Sequence, residues 1–272
     1  MNDITNEKVN EVIDLLNQAF NEFGVDFYLI GARARDYWLD ANKIPNVRGT
    51  FDIDFAVLVA DMENFEALKN HLCITYNFKL HKIPHRIIYE PYDILIDLIP
   101  FGGIEKAGYV SFNDKFDTKF SIIGFKEVYE NIGISEISST SINIATLPGI
   151  CILKLIAWSD RRSEREKDIL DIHSIIHHYF DIESETIYKE HSDLFENENF
   201  QTINAGARVL GRQMKKIIGE NQLLFDRITN ILIEDTRKPE SSLIGEILVR
   251  GTEKFVEDAI LPFKELLKGI QD

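Results

Sequence analysis

Asp52 and Asp54 flank a single isoleucine, Ile53, at the entrance of the apolar run Phe55-Ala56-Val57-Leu58-Val59. On a strand, residues two apart project from the same face, so the two carboxylates would stand side by side while Ile53 points into a core. Like charges held so close repel, and a divalent cation relieves that repulsion; a dense set of hard oxygen ligands suits Mg²⁺. A solvated strand end is the plain alternative, but carboxylates leading into so apolar a strand need some compensation for desolvation. Asp97 stands in Tyr92-Asp93-Ile94-Leu95-Ile96-Asp97-Leu98-Ile99-Pro100 with apolar neighbours on both sides. If its strand lies beside that of Asp54, it supplies a third ligand and a group able to take the proton of an attacking hydroxyl. The other reading of Asp97 is a buried carboxylate satisfied by a hydrogen bond or an arginine. Asp93 shares its parity but sits at the strand start, within reach of solvent.

Phosphate chemistry needs positive charge and open backbone. Gly31 follows a short β-rich run and precedes Ala32-Arg33-Ala34-Arg35-Asp36-Tyr37-Trp38-Leu39, whose period is helical. A residue without a side chain lets phosphate approach amides at a helix N-terminus, so Gly31 and Ala32, with Arg33 and Arg35 in or just after the first turn, are candidate nucleotide contacts. An Arg35–Asp36 ion pair bracing the helix is an equal reading. Arg48 and the stretch Arg161, Arg162, Arg165 and Lys167 are further basic islands. Lys154, Trp158, Arg161 and Arg165 follow the spacing of one helical face, which would hold a triphosphate and stack on a base if the helix is continuous. Ser163 and Glu166 have capping-box spacing, however, which would break that face; a solvated face pairing Arg165 or Lys167 with Asp168 and Asp171 is the alternative. His173, His177 and His178 lie among isoleucines with no cysteine or paired carboxylate nearby in the chain, and a packing or surface role is expected for them.

These residues need elements to position them. Apolar spacing predicts a helix over 6–23 stopped by Gly24, a strand over 25–30, the helix from Gly31, a strand over 51–59 that becomes fully buried after Asp54, and a helix over 62–76. Strands over 86–90 and 92–100 joined at Pro91, short mixed strands over 108–144 and one helix over 125–131 follow. Beyond Thr146-Leu147-Pro148-Gly149 the pattern is helical: 150–158, 164–179, 205–218, 222–233 and a final amphipathic stretch over 243–267. The expectation is an α/β (α+β) chain, with a mixed-sheet domain over 1–146 and a helical domain over 147–272.

The chain has 272 residues, 44% of them hydrophobic and 28% charged, enough to bury a core in each of two domains. The net charge of −15 excludes a general basic surface for coating nucleic acid, leaving only local basic sites. The acidic, amphipathic N-terminus and the lack of an 18-residue uncharged apolar run point to a cytoplasmic protein without membrane partners. Cys73 and Cys151 lie in apolar segments and read as free thiols.

In pattern, the sequence resembles the DNA polymerase β type nucleotidyltransferases: a glycine-led helix start at Gly31-Ala32, then Asp52-Ile53-Asp54, then the distant Asp97. GARARDYWL is similar to the GGxVRDxLL element of tRNA CCA-adding enzymes. RGTFDIDFAV, which contains Arg48 and Thr50, more closely resembles the abortive-infection toxin branch of AbiEii and AbiGii type, as does KLIAWSDRRSEREKDILDI from Lys154 to Ile172. Ala32 stands where the pattern has a second Gly or Ser, and the interval from Gly31 to Asp52 is longer than in minimal members. The resemblance implies metal-ligand roles for Asp52, Asp54 and Asp97 and phosphate contact by Lys154. Arg48, Thr50, Arg161 and Arg165 are further candidates for the nucleotide set. Two Mg²⁺ ions would bind with an NTP, and an NMP would pass to an acceptor hydroxyl on RNA or tRNA, with a cognate antitoxin as partner. Two rivals remain: an aminoglycoside-type small-molecule acceptor suited to an acidic cleft, and a catalytically silent toxin–antitoxin binding module.

Overall fold

A computed structural model describes residues 5–45, 52–112, 114–115, 118–137, 140–196, 200–238, 241–251 and 253–272. The chain divides into two compact units, Met1–Thr146 and Leu147–Asp272.

The first unit is built on a mixed sheet. Helix α1 (Asn6–Phe23) is capped by Thr5, whose side chain accepts from the Lys8 amide, and it ends where Gly24 turns left-handed at φ 76 and donates back to Phe20. Strand β1 (Phe27–Ile30) runs straight into α2 (Gly31–Ala41). Then come β2 (Ile53–Val59), α3 (Met62–Thr75) with Asp61 as its N-cap, β3 (Phe78–Leu80), β4 (Arg86–Tyr89) and β5 (Ile94–Gly102). The small pair β6 (Tyr109–Ser111) and β7 (Lys119–Ser121), helix α4 (Phe125–Tyr129), β8 (Gly133–Ile137) and β9 (Thr140–Ile144) complete it.

Among the described residues the main sheet has the order β3-β4-β5-β2-β1-β9-β8. β2 pairs parallel with β5, and β1 parallel with β9, while the other neighbours run antiparallel. The centre is apolar on both faces: Phe55, Ala56 and Val57 are all fully buried, which is why this strand reads as a continuous apolar run beyond Asp54. Phe20, Phe27 and Phe55 meet ring to ring, binding α1 to β1 and β2. Trp38 donates its indole N–H to the Ala145 carbonyl at 2.8 Å, pinning α2 beside the end of β9.

The second unit is helical: α5 (Leu147–Asp160), α6 (Glu166–Ile182), α7 (Ser184–Glu190), a 3₁₀ turn (Ser192–Glu196), α8 (Thr202–Ile218), α9 (Gln222–Arg237), α10 (Ser242–Arg250) and α11 (Val256–Gln271). α5 is apolar nearly all round, as a helix packed against α6, α8 and α9 must be. α8 and α11 approach so closely that a Cβ on Gly269 would stand 2.0 Å from the Arg208 carbonyl, and one on Gly211 2.2 Å from that of Leu266. The fold class is therefore the mixed-sheet α/β unit followed by helices that the sequence predicts. The final helical stretch is not one element, since it divides into α10 and α11. No helix among the described residues is long and apolar enough to cross a membrane.

Candidate active site

The sheet register assembles the acidic site. Asp54 on β2 is the direct partner of Asp97 on the parallel strand β5, and Asp97 is in turn the partner of Arg86 on β4. Register partners on adjacent strands share a face and stand about 4.8 Å apart along the sheet. Arg86, Asp97 and Asp54 thus form one row across β4, β5 and β2, flanked along each strand by buried apolar residues such as Ile53, Phe55, Ile96 and Leu98. Asp52 precedes β2 with the parity of Asp54. A single Arg86 Nη2 lies 2.7 Å from Asp97 Oδ2 and 3.9 Å from Asp52 Oδ2, so these carboxylates are no farther apart than the two lengths laid end to end.

Arg86 grips Asp97 with both prongs, the second being Nε to Oδ1 at 2.6 Å. Its hydrogen bonds to Asp97, opposed by burial and reinforced by the charges of Asp97, Asp52 and Asp54, raise its pKa further above the ordinary guanidinium value. His85 brings its Nε2 to 3.9 Å from Asp97 Oδ2 and packs edge-on against Phe120. Asp97 stands in the acidic row and is at the same time satisfied by an arginine. Arg86 itself escaped the sequence reading. The signal was present, because a hairpin turning at Glu90-Pro91-Tyr92-Asp93 sets Arg86 opposite Asp97 by simple counting. Asp93, the rival carboxylate, is an exposed turn residue with φ 53.

β1 supplies the other wall. Ile30 pairs with Asp54, and the chain turns at once into α2 through Gly31, whose φ is 71. A Cβ on Gly31 would stand 2.2 Å from Asp54 Oδ2. The glycine therefore lets the N-terminus of α2, the positive end of its dipole, come against the Asp54 carboxylate. Hard oxygen donors on one face suit a divalent cation of the magnesium class, with the Arg86 guanidinium and the positive end of α2 already offsetting part of their charge. Asp52, Asp54 and Asp97 are the residues able to hold it.

The remaining candidates separate. Ala32 follows Gly31 in the first turn of α2. Arg33 is half-buried and donates to Asn6 Oδ1 at 3.2 Å, and burial lowers its pKa. Arg35 is buried and paired with its neighbour Asp36, to which Nε donates at 2.8 Å, so the helix-bracing reading describes it. Arg48 and Thr50 lie outside the described residues.

In the second unit Lys154 is 8% exposed, its ammonium 2.7 Å from Asp168 Oδ1 and 2.8 Å from Asp171 Oδ2. Burial opposes its charge, but the two carboxylates outweigh burial and raise its pKa. The continuous basic face is corrected: α5 ends at Asp160 and α6 begins at Glu166, with Arg165 rather than Ser163 at the cap position and no side-chain capping bond. Asp168 and Asp171 are themselves buried, and the solvated-face alternative survives only in the half-exposed Arg165, which lies near Asp168. Arg161 and Arg165 lie at that break, 3.7 Å from Glu164 and Asp168 respectively. Trp158 is fully buried with the Arg162 guanidinium over its ring at 4.3 Å, and it offers no face to a base.

No protein-family model matches this chain, nor does any curated protein. Among solved structures it is similar to an antigenic nucleotidyltransferase-like protein from Paracoccidioides brasiliensis, at 15% identity over 73% of this chain and 93% of that one, with a TM-score of 0.43. It is also similar to the antibiotic-resistance factor ANT(2'')-Ia, at 11% identity over 71% and 97% of the two chains, with a TM-score of 0.41.

Proposed function

We propose that this chain is a magnesium-dependent nucleotidyltransferase that moves a nucleoside monophosphate from an NTP to an acceptor hydroxyl, with pyrophosphate leaving. The observation that carries this reading is the in-register placement of Asp54 and Asp97 on adjacent parallel strands, with Asp52 on the same guanidinium as Asp97. Asp52, Asp54 and Asp97 would hold two Mg²⁺ ions, which would neutralise the triphosphate and make the acceptor hydroxyl more acidic. Asp97 is positioned to accept the proton of that hydroxyl. Gly31 and Ala32 present backbone amides at the start of α2, where phosphate oxygens are welcome. Arg86 holds the Asp97 carboxylate in one orientation, so that the ligand set is preorganised before substrate arrives.

The RGTFDIDFAV and KLIAWSDRRSEREKDILDI segments favour an acceptor of the abortive-infection toxin type, an RNA, and with it a cognate antitoxin. The test is incubation of the chain with each labelled NTP and Mg²⁺, offering total RNA in one arm and aminoglycosides in the other, with EDTA and Asp97→Asn as controls. Label transfer that requires both Mg²⁺ and Asp97 is the expected result. Absence of transfer to every acceptor, with any NTP, would leave the chain as a binding module.

A further inference from the structure

The histidines of α6 gain a partner that nothing in the local sequence announces. His173 and His177 are one helical turn apart, so their rings share a face and their Nε2 atoms meet at 3.0 Å. Glu253, between α10 and α11, brings Oε1 to 2.8 Å from His177 Nε2 and 3.6 Å from His173 Nε2. His178, by contrast, turns away to the Ser174 carbonyl at 2.8 Å. The side chains of His173 and Glu253 are 6% and 17% exposed, and that of His177 is 31% exposed.

We propose that His173, His177 and Glu253 bind a divalent transition-metal ion of the zinc class, separate from the carboxylate site of the first unit. Proton counting carries the argument. His177 Nε2 has two close polar neighbours, yet a ring nitrogen bears either one proton or one lone pair. With the proton, it donates to Glu253 and cannot accept from His173. With the lone pair, it accepts from His173 and stands 2.8 Å from a carboxylate oxygen that also presents lone pairs. Without a cation, only one N–H shared between His173 and Glu253, a weak three-centre bond, satisfies all three atoms. A cation inside the triangle removes the conflict, because all three atoms then point lone pairs at it.

The dimensions agree with that occupant. Ligands bonded to a tetrahedral zinc at about 2.0–2.2 Å stand roughly 3.3 Å from one another, and the three edges here are 2.8, 3.0 and 3.6 Å. Two imidazoles with one carboxylate suit zinc and its neighbours better than Mg²⁺ or Ca²⁺, which prefer oxygen throughout. Three protein ligands leave a fourth position for water or an outside donor, and His177 is the exposed edge through which it would enter. The ion would also tie the segment between α10 and α11 to α6.

The test is Zn²⁺ alone, titrated into the full chain against a chromophoric chelator, with Co²⁺ absorption reporting coordination geometry. With the carboxylate row held by excess Mg²⁺, wild type should take one ion with a tetrahedral Co²⁺ spectrum and melt at a higher temperature with Zn²⁺ than with a zinc-selective chelator. His177→Gln and Glu253→Gln should each weaken Zn²⁺ binding at least tenfold, since even outer-shell changes cost about 10–100-fold at such sites. Asp54→Asn should bind Zn²⁺ like wild type, which separates this site from the carboxylate row. Circular dichroism establishes that each variant is folded, and if His177→Gln is not, Glu253→Gln decides. No binding by wild type, a loss under tenfold in the folded variants, or loss in Asp54→Asn would overturn the proposal.

Discussion

Asp54 and Lys154 are both charged residues set among apolar ones, and their surroundings assign them opposite work. Asp54 lies in a row with Asp97 and against the N-terminus of α2, so its negative charge is gathered with others of its kind. Asp54→Asn preserves the shape and removes the charge. NMP transfer should fall to background while the melting temperature holds or rises, because repulsion along the row is relieved. A variant that melted several degrees lower yet kept its activity would make Asp54 structural. Lys154 instead sits between two buried carboxylates on α6. Lys154→Met removes the ammonium held between Asp168 and Asp171, and breaking a buried pair of this kind costs about 3–5 kcal/mol. Chemical denaturation should show that loss. A change below about 1 kcal/mol would mean that the pair is solvated and that Lys154 is available to a ligand after all. With its ammonium engaged by two buried carboxylates, Lys154 supports the fold first.

At the scale of elements, the turn from β1 into α2 is the tightest coupling between fold and site. Gly31→Ala must accept a left-handed φ and push a methyl group into Asp54 Oδ2, so it should destabilise the chain by about 1 kcal/mol or more and also displace the carboxylate. Activity in Gly31→Ala should drop far more than stability accounts for, measured as kcat on the folded fraction. Retention of full kcat would show that the close approach is incidental. That turn was legible in the sequence, as were α1 with its Gly24 stop and the burial of β2 beyond Asp54, because each has a periodic apolar pattern ended by a distinct signal. The three-residue β3 and the short α7 were not, since neither is long enough to display a period. α10 and α11 were read as one stretch because both are amphipathic and only Gly251, whose N–H bonds back to Ile247, closes the first. The basic face failed for a related reason. Helical spacing was extended across a break, although α5 is so apolar that a lysine within it had to be buried and paired. Its partners were visible as Asp168 and Asp171, one turn apart on α6. Glu253 was beyond reach, because no local pattern connects it to His173 and His177.

Across the whole molecule the balance is 30 basic against 45 acidic side chains, and several of the basic groups are already paired with carboxylates. Arg86, Lys154, Arg162, Arg208, Arg212, Arg227 and Arg250 all hold carboxylates within 2.9 Å. Affinity for nucleic acid without sequence preference comes from lysines and arginines that replace phosphate counterions, and each such contact steepens the dependence on salt. In this chain the surplus of acidic side chains opposes such contacts over a broad surface. Its affinity for random RNA at physiological salt should therefore be weaker than about 10⁻⁴ M, the soft end of non-specific binding, with a log–log salt slope no steeper than about −1 to −2. An RNA acceptor would then have to be recognised at a local feature, such as a terminus entering the carboxylate site, rather than along its backbone. Fluorescence anisotropy of a labelled random RNA between low and physiological salt measures both quantities. A dissociation constant near 10⁻⁶ M with a steep slope would contradict the charge argument and reveal a basic track that the net charge conceals. Weak binding together with label transfer to one RNA end would make the acceptor's terminus, and not its sequence-wide charge, the recognised element.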